Sequence, residues 1–115
     1  MREMKIQITK LDSLFSKFIR QRDKVCQRCG KGGRLETSHF HGRRKRSVRW
    51  DEDNAVALCF ACHRYFTENP LEHCEWFKNR LGEKEFDALN VRARINDHQD
   101  LDILADYYEK LLRRN

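Results

Sequence analysis

The hydrophobic pattern along the chain divides it into a helical start, an irregular middle and a helical end. Leu11, Leu14, Phe15, Phe18 and Ile19 recur at helical spacing, with Lys17, Arg20 and Arg22 off the stripe, which predicts an amphipathic helix over roughly residues 10–23. The period then breaks. Leu35–Phe40 and Ala55–Leu58 are short apolar-bearing runs that predict strands, and Asp51–Asn54 is turn-like. From Cys59 the helical period returns, with Cys62, Tyr65 and Phe66 on one side. Pro70 stops that helix and suits the first turn of the next, which runs over Leu71–Leu81 to Gly82, its expected C-cap. Glu83–Ile95 and residues 98–114 predict two further helices, the last with Leu101, Leu104, Tyr108, Leu111 and Leu112 on its apolar face. The expected class is α+β, a small β element framed by helices.

At 115 residues and with no internal repeat, the chain is expected to form a single domain. Its parts are an N-terminal helix (1–24), a central core (25–69) and a helical tail (70–115). No run approaches the ~20 apolar residues that a membrane-spanning helix needs. The first ten residues lack an apolar stretch of the kind that opens a secretory signal. A cytoplasmic location is the expectation, and there five cysteines favour metal ligation or thiol chemistry over disulfides.

Charge changes the picture. Residues 1–50 carry 15 Lys and Arg against 4 Asp and Glu, a balance of +11, whereas residues 51–115 carry 9 against 14, a balance of −5. A basic half beside an acidic one points to a polyanionic partner on one side, a nucleic acid. RNA remains open on charge alone. The stretch Gly42–Arg49 concentrates Arg43, Arg44, Lys45, Arg46 and Arg49 in one loop. Lys and Arg placed there contact phosphates without reading bases, so low sequence specificity is expected.

Cys26-x-x-Cys29 and Cys59-x-x-Cys62 form two knuckles, 29 residues apart. Two residues between thiolates let both sulfurs reach one tetrahedral ion at ~2.3 Å, so the four together predict structural zinc. The competing reading is a redox-active pair, which needs a βαβ context and leaves the second knuckle unexplained. Cys74 stands outside both. A site closed by four cysteines has no open coordination position, so any reacting centre must lie elsewhere.

Between and just beyond the knuckles lie Ser38-His39-Phe40-His41, Asn54 and His63. Asn54 follows His39 by 15 residues, and His63 follows Asn54 by nine. This spacing, with the block Leu58-Cys59-Phe60-Ala61-Cys62-His63, resembles the HNH endonucleases over about residues 26–66. A looser similarity reaches to about residue 90. Leu11–Asp23, Ser38-His39-Phe40 and Arg49–Asn54 resemble phage recombination nucleases of the NinG/Rap group.

The resemblance implies a ββα-metal fold with a zinc-ribbon frame and a metal-dependent hydrolysis of DNA. It makes His39 the general base and Asn54 the residue that holds its strand. His63 would be a ligand of a catalytic Mg²⁺ or Mn²⁺. Many members have Asp or His immediately before the base as a second ligand, where this chain has Ser38. A serine hydroxyl is a poor ligand, so either the ion keeps extra waters or another residue, such as His41, substitutes. Without the family, His63 is a capping residue or spare zinc ligand, and Asn54 an ordinary turn residue. The alternative function is a non-catalytic zinc-ribbon DNA-binding module. The apolar stripe of the last helix, beside Tyr107, either packs internally or forms a homodimer seam.

Overall fold

The computed structural model describes residues 2–95 and 99–114. Its elements are α1 (Arg2–Asp23), β1 (Glu36–His39), β2 (Ala55–Leu58), α2 (Phe60–Glu68), α3 (Pro70–Leu81), α4 (Glu83–Arg94) and α5 (Leu101–Arg113), with a 3₁₀ turn at Glu52–Asn54. The class is α+β, five helices around one two-stranded sheet among the described residues. None of these helices is long and apolar enough to cross a membrane.

The sheet is antiparallel, with Glu36 opposite Leu58, Thr37 opposite Ala57, Ser38 opposite Val56 and His39 opposite Ala55. Side chains alternate across a strand, and here the alternation sorts two cores. Ala55 and Ala57 join Leu11, Phe15, Phe18, Ile19, Trp50 and Tyr108 on the side of α1 and α5. Val56 and Leu58 join Phe66, Phe77, Phe86 and Leu89 on the side of α2, α3 and α4. The sheet is thus the middle of three layers. All four β2 residues are buried, which explains why that strand reads as a continuous apolar run rather than an alternating one. The alanines on one face leave room for α1 to approach.

A two-stranded sheet exposes edges whose backbone groups need partners. The outer edge of β2 finds them at the end of α1. Asp23 accepts from the Ala57 N–H at 2.8 Å, Arg22 donates to the carbonyl of Ala55 at 2.8 Å, and the Gln27 N–H donates to that of Ala57 at 3.0 Å.

The helices fall close to their expected places. Pro70 opens α3, where its missing N–H costs no helical bond. Gly82 follows with φ +87°, a left-handed conformation that turns the chain directly into α4. Two boundaries differ. β1 is shorter than Leu35–Phe40. Helix α1 starts at Arg2 rather than near residue 10. Its additional turns lie against α5, where Gln7 donates to Asp102 and Lys10 pairs with Glu109. That polar support comes from the far end of the chain, while Ile8, three residues before Leu11, continues the apolar stripe onto the same core. The expected start of the last helix at residue 98 lies outside the described residues; from Leu101 onward α5 matches, and Asp100 caps it by accepting from the N–H groups of Asp102 and Ile103. Its apolar stripe packs internally on α1, with Tyr108 buried between Phe15 and Phe18.

Candidate active site and zinc centre

The two CxxC knuckles meet at the start of α2. Gly30, at φ +80°, lets the chain turn back after Cys29, and its N–H donates to the Cys26 carbonyl. Cys59 occupies the N-cap of α2 and Cys62 its first turn. The four Sγ atoms lie within 4.8 Å of one another, and none is in a disulfide. Cys29 and Cys59 are 3.8 Å apart, matching the ~3.8 Å edge of a tetrahedron with metal–sulfur bonds of ~2.3 Å.

Burial raises the Cys26 thiol, but the backbone amides of Cys59, Cys29 and Arg28 outweigh it and bring it down to about 6. Burial pushes Cys62 up to about 12, helped by the neighbouring sulfurs and opposed by Arg28, whose guanidinium lies 3.4 Å from Sγ. Four adjacent thiolates repel one another, and a dication relieves that repulsion. The cluster fits structural zinc. Arg28 is itself stacked 4.2 Å over Tyr65. Cys74, on α3, packs against the apolar core outside this set.

His39 ends β1 on the α1 face, its ring centroid 5.6 Å from that of Phe15. Nε2 lies 2.9 Å from the carbonyl oxygen of Arg49. A carbonyl only accepts, so Nε2 carries the proton and Nδ1 presents its lone pair. Burial holds the imidazole pKa below its ordinary value, and the cations of Arg43 and Arg49 act in the same direction. The ring is therefore neutral near pH 7, the form that can take up a proton.

Asn54 is fully buried and binds the loop that follows His39. Its Oδ1 accepts from the His41 N–H at 2.8 Å, while Nδ2 donates to the carbonyls of His41 and Val48, both at 3.0 Å. One side chain thus closes the 41–48 loop on itself. The backbone N–H of Phe40 donates to the Asn54 carbonyl at 2.8 Å, which carries the pairing one step beyond β1. The His41 ring turns to α4, with Nε2 2.8 Å from Asn90 Oδ1.

His63 stands on α2, on the opposite face of the sheet from His39. Its Nδ1 is 2.8 Å from Glu36 Oε1. Hydrogen bonding to a carboxylate leaves Nε2 as the nitrogen available to a metal ion. Glu36, Phe60, His63, Arg64, Thr67 and Glu68 line an open groove of about 350 Å³. Ser38 shares the strand face of Glu36 but is only 2 % exposed. A divalent ion at His63 Nε2 would therefore find no accessible ligand at Ser38, while Glu36 would orient the ring from its other nitrogen.

Arg43, Arg44, Lys45 and Arg46 are exposed on the 41–48 loop, next to His39 in the chain. Arg49 differs. Its guanidinium makes a two-pronged pair with Asp12 of α1, at 3.0 and 2.6 Å. The sequence reading missed both Asp12 and Glu36. For Glu36 a signal existed, because it lies two residues before Ser38 and so shares its face. For Asp12, a single acid on a helix, there was none.

No curated protein and no solved structure matches the chain. Residues 26–67 match the family model described as HNH endonuclease. That segment holds all four cysteines, His39, Asn54 and His63, so the β1–β2–α2 unit with its cysteine frame is similar to an HNH endonuclease domain, while α1, α3, α4 and α5 lie outside the match.

Proposed function

We propose that this protein is a metal-dependent endonuclease that hydrolyses phosphodiester bonds of DNA with low sequence specificity. The observation that carries the reading is the state of His39, a neutral imidazole whose Nε2–H is fixed on a carbonyl and whose Nδ1 is left as a base. In this reading Nδ1 removes a proton from a water whose oxygen attacks phosphorus. The bond from phosphorus to the 3′-oxygen breaks, and that oxygen takes a proton from solvent water on leaving. The products carry 5′-phosphate and 3′-hydroxyl ends. Asn54 keeps the 41–48 loop closed so that the strand end bearing His39 does not shift. By the family resemblance His63, oriented by Glu36, would hold a Mg²⁺ or Mn²⁺ ion that supplies positive charge to the phosphodiester. Since His63 stands across the sheet from His39, base and ion would approach the phosphate from opposite sides of β1. Arg43, Arg44, Lys45 and Arg46 neutralise backbone phosphates.

The chain acts in this reading as one domain in the cytoplasm. A single site of this kind cuts one strand per encounter, so a double-strand break needs a homodimer or two events. A place in phage recombination rests on the resemblance of Leu11–Asp23 and Arg49–Asn54 to the NinG/Rap group. One observation favours the alternative, a zinc-ribbon module that binds DNA without cutting it. The position before His39 is a buried serine rather than a carboxylate.

Supercoiled plasmid incubated with the zinc-loaded protein in Mg²⁺, Mn²⁺ or EDTA separates the two. Nicking in either metal and none in EDTA, with nicks that DNA ligase reseals, is the expected result. Intact plasmid under all three conditions, together with a gel shift, would establish the binding module instead.

A further inference from the structure

The carbonyl that holds His39 belongs to Arg49, in the loop between β1 and β2. A loop backbone is a poor mount for a base unless something fixes it. The fixing group comes from elsewhere in the chain. The Asp12 carboxylate accepts from Arg49 Nε at 3.0 Å, from Arg49 Nη2 at 2.6 Å and from Trp50 Nε1 at 2.9 Å. Two consecutive loop residues are thereby clamped to one acid on α1. The same guanidinium donates from Nη1 to the Arg43 carbonyl at 3.3 Å, reaching into the basic loop. The Trp50 carbonyl accepts from the buried Tyr108 hydroxyl of α5.

We propose that Asp12 is the positioning residue for His39, acting through the Arg49–Trp50 corner whose carbonyl fixes the imidazole. The proposal rests on the nuclease reading. It adds that the HNH-like segment is not self-sufficient, since Asp12 lies outside residues 26–67. Exposed ion pairs of this type contribute little. This one differs in kind, because the Asp12 and Arg49 side chains are only 20% and 17% exposed and the contact is bidentate, which fixes direction as well as distance. A carboxylate serves here because all three partners are donors. An asparagine would turn an NH₂ group toward one of them.

The test uses the full-length, zinc-loaded Asp12→Asn variant with three readouts. Melting temperature and zinc content report the fold. The ¹⁵N chemical shifts of the His39 ring report which nitrogen carries the proton. Single-turnover nicking set beside DNA affinity separates rate from binding. The expected result is a mixed or exchange-broadened ring signal and a rate constant lower by about 10- to 100-fold, with affinity within about twofold.

A fixed Nε2–H signal and an unchanged rate in a folded variant would overturn the proposal. If the wild type does not nick at all, the nuclease reading fails. The ring signal of the variant then still decides whether Asp12 positions His39. Should Asp12→Asn unfold, the double variant Asp12→Leu with Arg49→Met removes both charges and leaves neither unpaired. It should show the same loosened ring, and a ring that stays fixed would again refute the clamp.

Discussion

The two faces of the small sheet are built on different principles. On the α2 side, a four-cysteine cluster and a run of stacked rings converge on Val56 and Leu58. Phe40 lies 4.9 Å from Phe77, and Phe66 lies 4.7 Å from His73. On the α1 side there is no metal cluster among the described residues. Leu11, Phe15 and Ile19 pack on two alanines, and the polar groups are tied by Asp12, Arg49 and Trp50. His63 and Glu36 belong to the first face, His39 to the second. One face therefore carries a cysteine cluster fit to be ordered by a metal ion, and the other is held by ordinary packing plus one ion pair. A sheet of only two strands can carry a base and a ligand with separate supports because alternate side chains point to opposite sides.

The largest effect that separates the faces is loss of zinc. Structural zinc in so small a frame supplies folding free energy, so a chelator should unfold the α2 side. The two tryptophans report the faces separately, since Trp50 lies in the α1 core and Trp76 against the α2 core. In Trp50→Phe protein, chelation should shift the emission of Trp76 strongly to the red. In Trp76→Phe protein the shift of Trp50 should be smaller and slower. Equal shifts would show that the faces unfold together.

A second, smaller break is Asn54→Ala. It strips three hydrogen bonds from the 41–48 loop and leaves buried backbone groups unpaired, for a loss of about 3 kcal/mol in thermal or urea unfolding. Zinc content should be unchanged, because Asn54 touches neither knuckle. The smallest expected effect is at the rim. Lys45→Gln should lower DNA affinity a few-fold and reduce the slope of log affinity against log salt by about 1.

Much of this architecture was legible in the sequence. The cysteine spacing marks the zinc frame because tetrahedral ligation needs both sulfurs of a knuckle on one side. The Pro70 and Gly82 punctuation marks α3, because each residue has a backbone constraint that acts locally. What was not legible depends on partners distant in the chain. Around Gln7 and Lys10, α1 is held to α5 by polar pairs with Asp102 and Glu109, which the apolar pattern does not mark. Arg49 is one of five cations in a basic stretch, and charge alone assigns all five to phosphate. Only the fold shows that this one is engaged by Asp12. Glu36 is not marked by the family spacing, which points to the residue directly before His39, although the strand repeat places position 36 on the same face as 38.

The proposed base of the hydrolytic site is the neutral, carbonyl-held imidazole of His39. The most direct test of that role compares zinc-loaded wild type and His39→Ala in metal-dependent plasmid nicking, with the DNA affinity of each measured in parallel. The expected result is a rate lower by about 10²- to 10⁴-fold in the variant with affinity nearly unchanged. Equal nicking by the two proteins would show that His39 is part of the scaffold and that the reacting centre lies elsewhere.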